Sequence, residues 1–350
     1  MDFTFSEDQL LFQESVRSFL VNENTPEAIR QLWETESGRS DALWAQLAEM
    51  GLTGMTVPEE HGGLGMNELD FVLLAQEAGY VALSEPLVNS VLVAAPLLAE
   101  CGNEALAAEW LPKMASGEAR VVVGLGINKL VEDAHCADLL LLEHDGAVYA
   151  VDPAKAALRA NQSVDPGRKL FGVEFDHGEA TLIADGDAAQ TLIANALNRG
   201  ALGVAAQALG LAQRMIDLSV QYTSERKQFG VAIGSFQAVK HHMANIAYKL
   251  EYAKTPVYRA AYDIANKLAR ATLSASHAKL AACEVADLAA KNSIQVHGAM
   301  GYTWEVDLHI FMKRAWAFNS SFGTAGFHKQ RVAAAILADD AQLGAGATFA

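Results

Sequence analysis

Ser224-Glu225-Arg226-Lys227-Gln228-Phe229-Gly230 is the stretch on which the C-terminal half of this chain turns. Helical patterns longer than a typical globular helix flank it, about 187–223 before and 234–266 after, followed by 269–297 and 304–338. Their apolar, alanine-rich faces must be buried against one another, which reads as a helical bundle. Pro256 lies inside the second segment and should kink or split it. The stretch itself sets adjacent cations beside an aromatic ring and a flexible glycine. Arg226 can offer a two-pronged donor to a phosphate, and Phe229 a stacking face to an adenine. Equally, basic residues at a helix C-terminus complement its dipole and need no ligand. From these residues alone the two readings stand level.

Working outward, the first ~115 residues carry helix starts and stops. Ser6 and Gln9 form a capping box, Pro26 and Pro86 suit early helical positions, and the stripe Leu43, Trp44, Leu47, Met50 ends at Gly51. Asn67 to Tyr80 and a segment opened by Asn103 are further helices, separated from the earlier ones by the glycine-rich loop Pro58–Gly65. Between 119 and 185 the period changes to short β-type runs, at Val121–Val123, Leu139–Leu142, Val148–Val151 and Phe171–Phe175, with turn chemistry at Asp145-Gly146 and Asp165-Pro166-Gly167. The expected fold is mainly α with a small β domain: an N-terminal helical domain (1–117), a reduced antiparallel β domain (118–186), a C-terminal four-helix bundle (187–340) and a frayed tail (341–350).

Composition agrees with a folded chain, since 51% of the 350 residues are hydrophobic. A net charge of -16 argues against nucleic acid or an anionic membrane as the main partner. Cys101, Cys136 and Cys283 have no metal-type or disulfide spacing. The N-terminus has an early acid and no basic region, and the apolar run Val88–Ala99 is broken and too short for a bilayer. These features predict a cytoplasmic protein.

Common catalytic signatures are absent: no G-x-S-x-G and no P-loop. Gly124-Leu125-Gly126 lacks the third glycine of a dinucleotide fingerprint and reads as a strand with a bend. His241-His242 point ~100° apart on a helix and read as a polar face rather than a metal site. Ile294-Gln295-Val296-His297-Gly298-Ala299-Met300-Gly301-Tyr302 is more informative, because glycines ending a long helix let backbone approach a ligand, although a simple helix stop would look the same.

Taken in order, Pro58-Glu59-Glu60-His61-Gly62-Gly63-Leu64-Gly65, Leu111-Pro112, Gly210-Leu211-Ala212-Gln213-Arg214, Glu225–Gly230, Phe236-Gln237, Gln295–Tyr302 and Gly323-Thr324 resemble the acyl-CoA dehydrogenase family of flavoenzymes over nearly the whole chain. The resemblance implies the three-part fold above, assembly as dimers or dimers of dimers, and FAD-dependent oxidation of the Cα–Cβ bond of an acyl-CoA, with electron-transfer flavoprotein as acceptor. It also implies a carboxylate base, in most members the Glu before the Gly-Thr pair. Here Phe322 occupies that position. The alternative position on the first bundle helix is Gly200, followed by Ala201 where an Arg is usual, and neither 188–216 nor 308–338 contains an Asp or Glu. The β-domain motifs that bed the flavin ring are also missing, and no Trp occurs between Trp110 and Trp304.

By the same resemblance, Arg226, Phe229, Gln237, Gln295, Gly298 and Gly301 match positions that grip the adenosine and pyrophosphate of FAD seated in a neighbouring subunit, and Thr324 matches a further FAD contact. A chain that keeps contacts given across an interface but lacks its own base resembles the short, degenerate subunit of heteromeric members that act on steroid side chains and other bulky acyl-CoAs. Asp165-Pro166-Gly167-Arg168 resembles a motif of those subunits. The alternatives are a self-sufficient homo-oligomeric enzyme with a relocated base and a flavin-free structural or CoA-binding protein.

Overall fold

The computed structural model describes residues 4–341 and 344. Six helices open the chain: α1 (Glu7–Glu23), α2 (Pro26–Trp33), α3 (Asp41–Glu49), α4 (Glu68–Tyr80), α5 (Ala95–Glu100) and α6 (Glu104–Ala115). Their caps are those the sequence specifies. Ser6 and Gln9 bond reciprocally, Thr25 accepts from Ala28 N–H ahead of Pro26, and Asn67 and Asn103 cap α4 and α6. Gly51 follows α3 in the left-handed conformation (φ 77°). One segment departs from a simple helix, as Val88–Ala94 winds as a π-helix directly into α5.

The middle region holds seven strands, β1 (Val121–Gly124), β2 (Val131–Glu132), β3 (Leu139–His144), β4 (Ala147–Val151), β5 (Ala156–Asn161), β6 (Leu170–Phe175) and β7 (Thr181–Ala184). They form two sheets, ordered β1-β3-β4-β7 and β2-β6-β5. Val121, Val123, Leu139 and Leu141 face the helices, while Val122, Leu140 and Leu142 face the second sheet. Burial on both faces is why these strands are uninterrupted apolar runs. Asp145 (φ 48°) and Gly146 (φ 77°) make the tight β3–β4 turn. Every pair is antiparallel except β1 with β3, which run parallel in register from Val121↔Leu139. The intervening 125–138 segment, which carries β2, supplies the crossover that a parallel pair requires.

The bundle comprises α7 (Gly186–Glu225), α8 (Gln237–Ala265), α9 (Ala271–His297) and α10 (Leu308–Phe318), with α11 (Ala325–Ile336) laid against α9. Pro256 neither ends nor splits α8. The expected fourth segment, 304–338, is instead two helices separated by the turn at Phe322-Gly323-Thr324. The expected tail falls mostly outside the described residues. α4 crosses α7 at glycines: an added Cβ at Gly79 would stand 2.5 Å from Gln207 Cα, and one at Gly210 would stand 2.5 Å from the Tyr80 nitrogen. Backbones that close leave no room for any side chain.

Candidate functional site

Two regions carry the residues singled out by sequence. The first is one end of the bundle. α7 stops at Glu225, and Arg226 turns extended, its N–H donating to Tyr222 C=O at 2.9 Å. A two-stranded hairpin follows, β8 (Lys227–Gln228) and β9 (Val231–Ala232), whose turn is Phe229 (φ 54°) and Gly230 (φ 83°). Glycine is at home in that conformation, but a non-glycine residue there costs about 1–3 kcal/mol. Phe229 holds it while 91% exposed. Arg226 is also exposed and makes no ion pair among the described residues.

Gln237, the first residue of α8, and Gln295, in the last turn of α9, are exposed at the same end. The ends of α7 and α9 are locked together by Tyr222, whose ring stacks on His297 at 4.3 Å and whose hydroxyl donates to the His297 carbonyl at 3.4 Å. Beyond α9, Gly298 (φ 59°) has open space where a Cβ would lie, and a Cβ on Gly301 would stand 2.9 Å from the Ile294 carbonyl. Six of the seven candidate cofactor residues thus meet at one end of the bundle. Thr324 does not: it caps α11 and lines a cavity of about 580 Å³ with Lys279, Cys283 and Trp316. Along α9, Cys283 lies about 18 Å from Gln295 at 1.5 Å per residue.

The second region lies between β1 and the turn after α10. The Phe322 ring lies against Gly200, where an added Cβ would stand 2.5 Å or less from three ring atoms. Gly203, one turn along α7, is covered in the same way by Val88, with Leu92 Cδ2 at 3.1 Å from the position of a Cβ. Phe322 is another bulky residue at positive φ (49°). It is held there by His328, which is fully buried: Nε2–H donates to the Phe322 carbonyl at 2.9 Å, and Nδ1 accepts from the Ser276 hydroxyl at 3.1 Å. Burial pushes the His328 pKa down to about 4, outweighing the Phe322 bond, so the ring is neutral.

What remains is a cavity of about 230 Å³ between β1 and Phe322, bridged by Asn128 Nδ2–H donating to the Ser320 carbonyl at 2.7 Å. This is smaller than the roughly 300–1,000 Å³ of ordinary small-molecule sites. Among the described residues, the one carboxylate lining it is Glu132. Burial would raise the Glu132 pKa, but Arg168, bonded at 2.9 Å, together with Arg314 and Arg39 holds it below the usual carboxylate value. The nearest sequence signal was the Asp165–Arg168 motif, and nothing in the sequence tied it to Glu132 or to this cavity.

That motif closes a seam between all three parts of the chain. Arg314 pairs with Asp165 and donates to the Leu83 carbonyl at 2.7 Å; Arg168 donates to the Ala317 carbonyl at 3.0 Å; Arg39 pairs with Asp133 and donates to the Gly167 carbonyl at 2.9 Å. His242, next to His241 on α8, bonds Asn292 at 3.2 Å.

A two-sheet β domain between a helical cap and a long bundle defines the class as a three-part fold, helical, β and helical. Residues 6–118 match the family model of the acyl-CoA dehydrogenase N-terminal domain, and residues 190–337 that of the C-terminal domain. The chain is 32% identical over 310 residues to acyl-CoA dehydrogenase IpdE2 of Mycobacterium tuberculosis, covering 88% of this chain and 91% of that one. Its fold is that of the ChsE4–ChsE5 complex from Mycobacterium tuberculosis (TM-score 0.84, 24% identity, 97% and 99% covered). It is also that of a variant of the Tcur3481–Tcur3483 steroid ACAD (TM-score 0.84, 23% identity, 93% and 96% covered). The chain belongs to the acyl-CoA dehydrogenase family, whose members are FAD-dependent oxidoreductases. No helix among the described residues is long and apolar enough to cross a membrane.

Proposed function

We propose that this chain is the non-catalytic subunit of a heteromeric acyl-CoA dehydrogenase, in which it completes the FAD site of a catalytic partner of the same family. The observation that carries this reading is the packing of Phe322 on Gly200. The two positions where a base is expected touch each other, and a hydrocarbon ring fills the space between them. A partner's carboxylate would then have to remove the α-proton, and FAD, where bound, would supply the acceptor for the β-hydride.

The bundle end fits the adenosine and pyrophosphate half of the cofactor. Arg226 is a guanidinium with no ion pair among the described residues, on a chain of net charge -16, Phe229 presents a bare ring, and Gly298 leaves its backbone open. A strained, almost fully exposed phenylalanine is best accounted for by a surface that covers it in the assembly. The chain's own isoalloxazine site does not fit: its cavity is small, bridged by Asn128 and walled by the Glu132–Arg168 pair. The likeness to a chain of the ChsE4–ChsE5 complex supports assembly with a partner, and the likeness to a steroid ACAD supports a bulky acyl-CoA as substrate. Electron-transfer flavoprotein is the proposed acceptor, and the cytoplasm the proposed compartment.

The test is to produce this chain alone and with a full-length partner of the family. The chain alone should purify without flavin, and the pair should carry FAD that an acyl-CoA bleaches. Stoichiometric FAD on the chain alone, reduced by acyl-CoA, would overturn the proposal. A second reading, self-sufficient catalysis, has one observation in its favour, because Glu132 lines the cavity. It requires that Glu132→Gln abolish turnover by the isolated chain.

A further inference from the structure

We propose a zinc site at Asp133, His135 and Cys136, in the turn between β2 and β3. The ligand atoms of these three side chains lie within 4.8 Å of one another. Tetrahedral zinc, with bonds of about 2.0–2.3 Å, sets its ligand atoms roughly 3.5 Å apart, so closure asks for about 1 Å of tightening. Left-handed backbone at Asp133 (φ 65°) starts a one-turn 3-10 helix, Ala134–Cys136, which turns residues 133, 135 and 136 toward one point.

The hydrogen bonds around the cluster define its chemistry. His135 Nε2 meets the Ser37 carbonyl at 2.8 Å, and a carbonyl only accepts, so Nε2 carries the proton and Nδ1 a free lone pair. That Nδ1 is buried and bonded to nothing among the described residues. A metal-ligating imidazole is usually held in this way, with its other nitrogen donating to a backbone carbonyl. The ring is steadied by stacking on Phe171 at 4.8 Å. Asp133 is buried and gripped by Arg39, which takes up part of its accepting capacity and leaves the rest, again the arrangement of a ligating carboxylate oriented from behind.

Glu85 is buried nearby in the chain's fold, and its Oε1 accepts from Ser40 N–H at 2.7 Å, next to Arg39. An imidazole nitrogen, a thiol and a carboxylate select Zn²⁺ over the hard cations Mg²⁺ and Ca²⁺, with water left for the fourth position. Binding would release the Cys136 proton and tie the β domain to the 37–39 loop of the helical cap.

The experiment uses the full chain, stripped of metal and then titrated with Zn²⁺ and Co²⁺. Native mass spectrometry should find one zinc per chain, and cobalt should give tetrahedral d–d bands with a thiolate charge-transfer band. Cys136→Ser should remove the charge-transfer band, His135→Gln should weaken binding at least tenfold, and a Cys101→Ser/Cys283→Ser double variant should change neither. Wild-type chain without stoichiometric zinc, or a charge-transfer band that survives Cys136→Ser, overturns the proposal. Circular dichroism checks each fold, and if one of the two ligand variants fails to fold, the other decides.

Discussion

The Phe322 ring occupies the space that a side chain at Gly200 would need. Residues 122 positions apart are therefore coupled: Gly200 cannot gain a side chain while the Phe322 ring stays in place.

A double-mutant cycle measures this coupling. Gly200→Ala should destabilise the chain by about 1–3 kcal/mol, since an added methyl overlaps the ring. In a Phe322→Ala background the same change should be neutral or stabilising, because alanine is better than glycine in a helix interior by about 1 kcal/mol. Thermal melts of the four proteins decide, and equal effects in both backgrounds would refute the contact.

The bundle end should separate stability from cofactor binding. Arg226→Ala removes an exposed group, so the melting of the isolated chain should move by no more than the equivalent of about 0.5 kcal/mol. In the assembled complex the loss of a charge-assisted bond of about 1.5–3 kcal/mol should weaken FAD retention roughly 10- to 150-fold, read by flavin absorbance after gel filtration. Phe229→Gly should go the other way on stability, gaining about 1 kcal/mol by relief of the positive φ, while it weakens the same complex.

His328 predicts a limb in the acid stability profile. Its folded pKa, about 4, lies below its ordinary 6.5, so between those values the unfolded chain binds a proton that the folded chain refuses. The contribution is complete above about pH 6.5 and declines as pH falls toward 4. His328→Asn should be less stable at pH 7 but flatter across this window in urea titrations.

The Asp165–Arg314 pair predicts the largest single loss. Both side chains are buried, and Asp165→Asn leaves the guanidinium without its counter-charge, at a cost of about 3–5 kcal/mol. Asp165→Asn/Arg314→Met should recover part of that cost. Equal midpoints for wild type and Asp165→Asn in denaturant would remove the pair from any structural role.

Much of the helical and strand framework was legible because its signals are local. Ser6, Thr25, Asn67 and Asn103 cap helices by bonding N–H groups two or three residues away, and Asp145-Gly146 turns a hairpin with its own backbone preferences. Pro256 misled because the loss of one backbone bond is tolerated where a long helix is packed on its neighbours. The break at Phe322 has local marks in Gly323 (φ 99°) and the N-cap Thr324, but the left-handed conformation of Phe322 itself does not follow from its residue type; the bond from His328 and the packing on the distant Gly200 hold it.

The sequence by itself determined the succession of helical, β and helical regions, the family, and the absence of a carboxylate at Phe322 and Gly200, because these depend on residue identity and short spacing. Only the tertiary structure decided that those two positions touch, that Thr324 stands apart from Arg226 and Gln295, that β1 runs parallel to β3, and that Glu132 meets Arg168 in the cavity. Those facts depend on which distant segments share a volume, and close packing of α7, the β domain and the turn after α10 settles that for the whole chain at once.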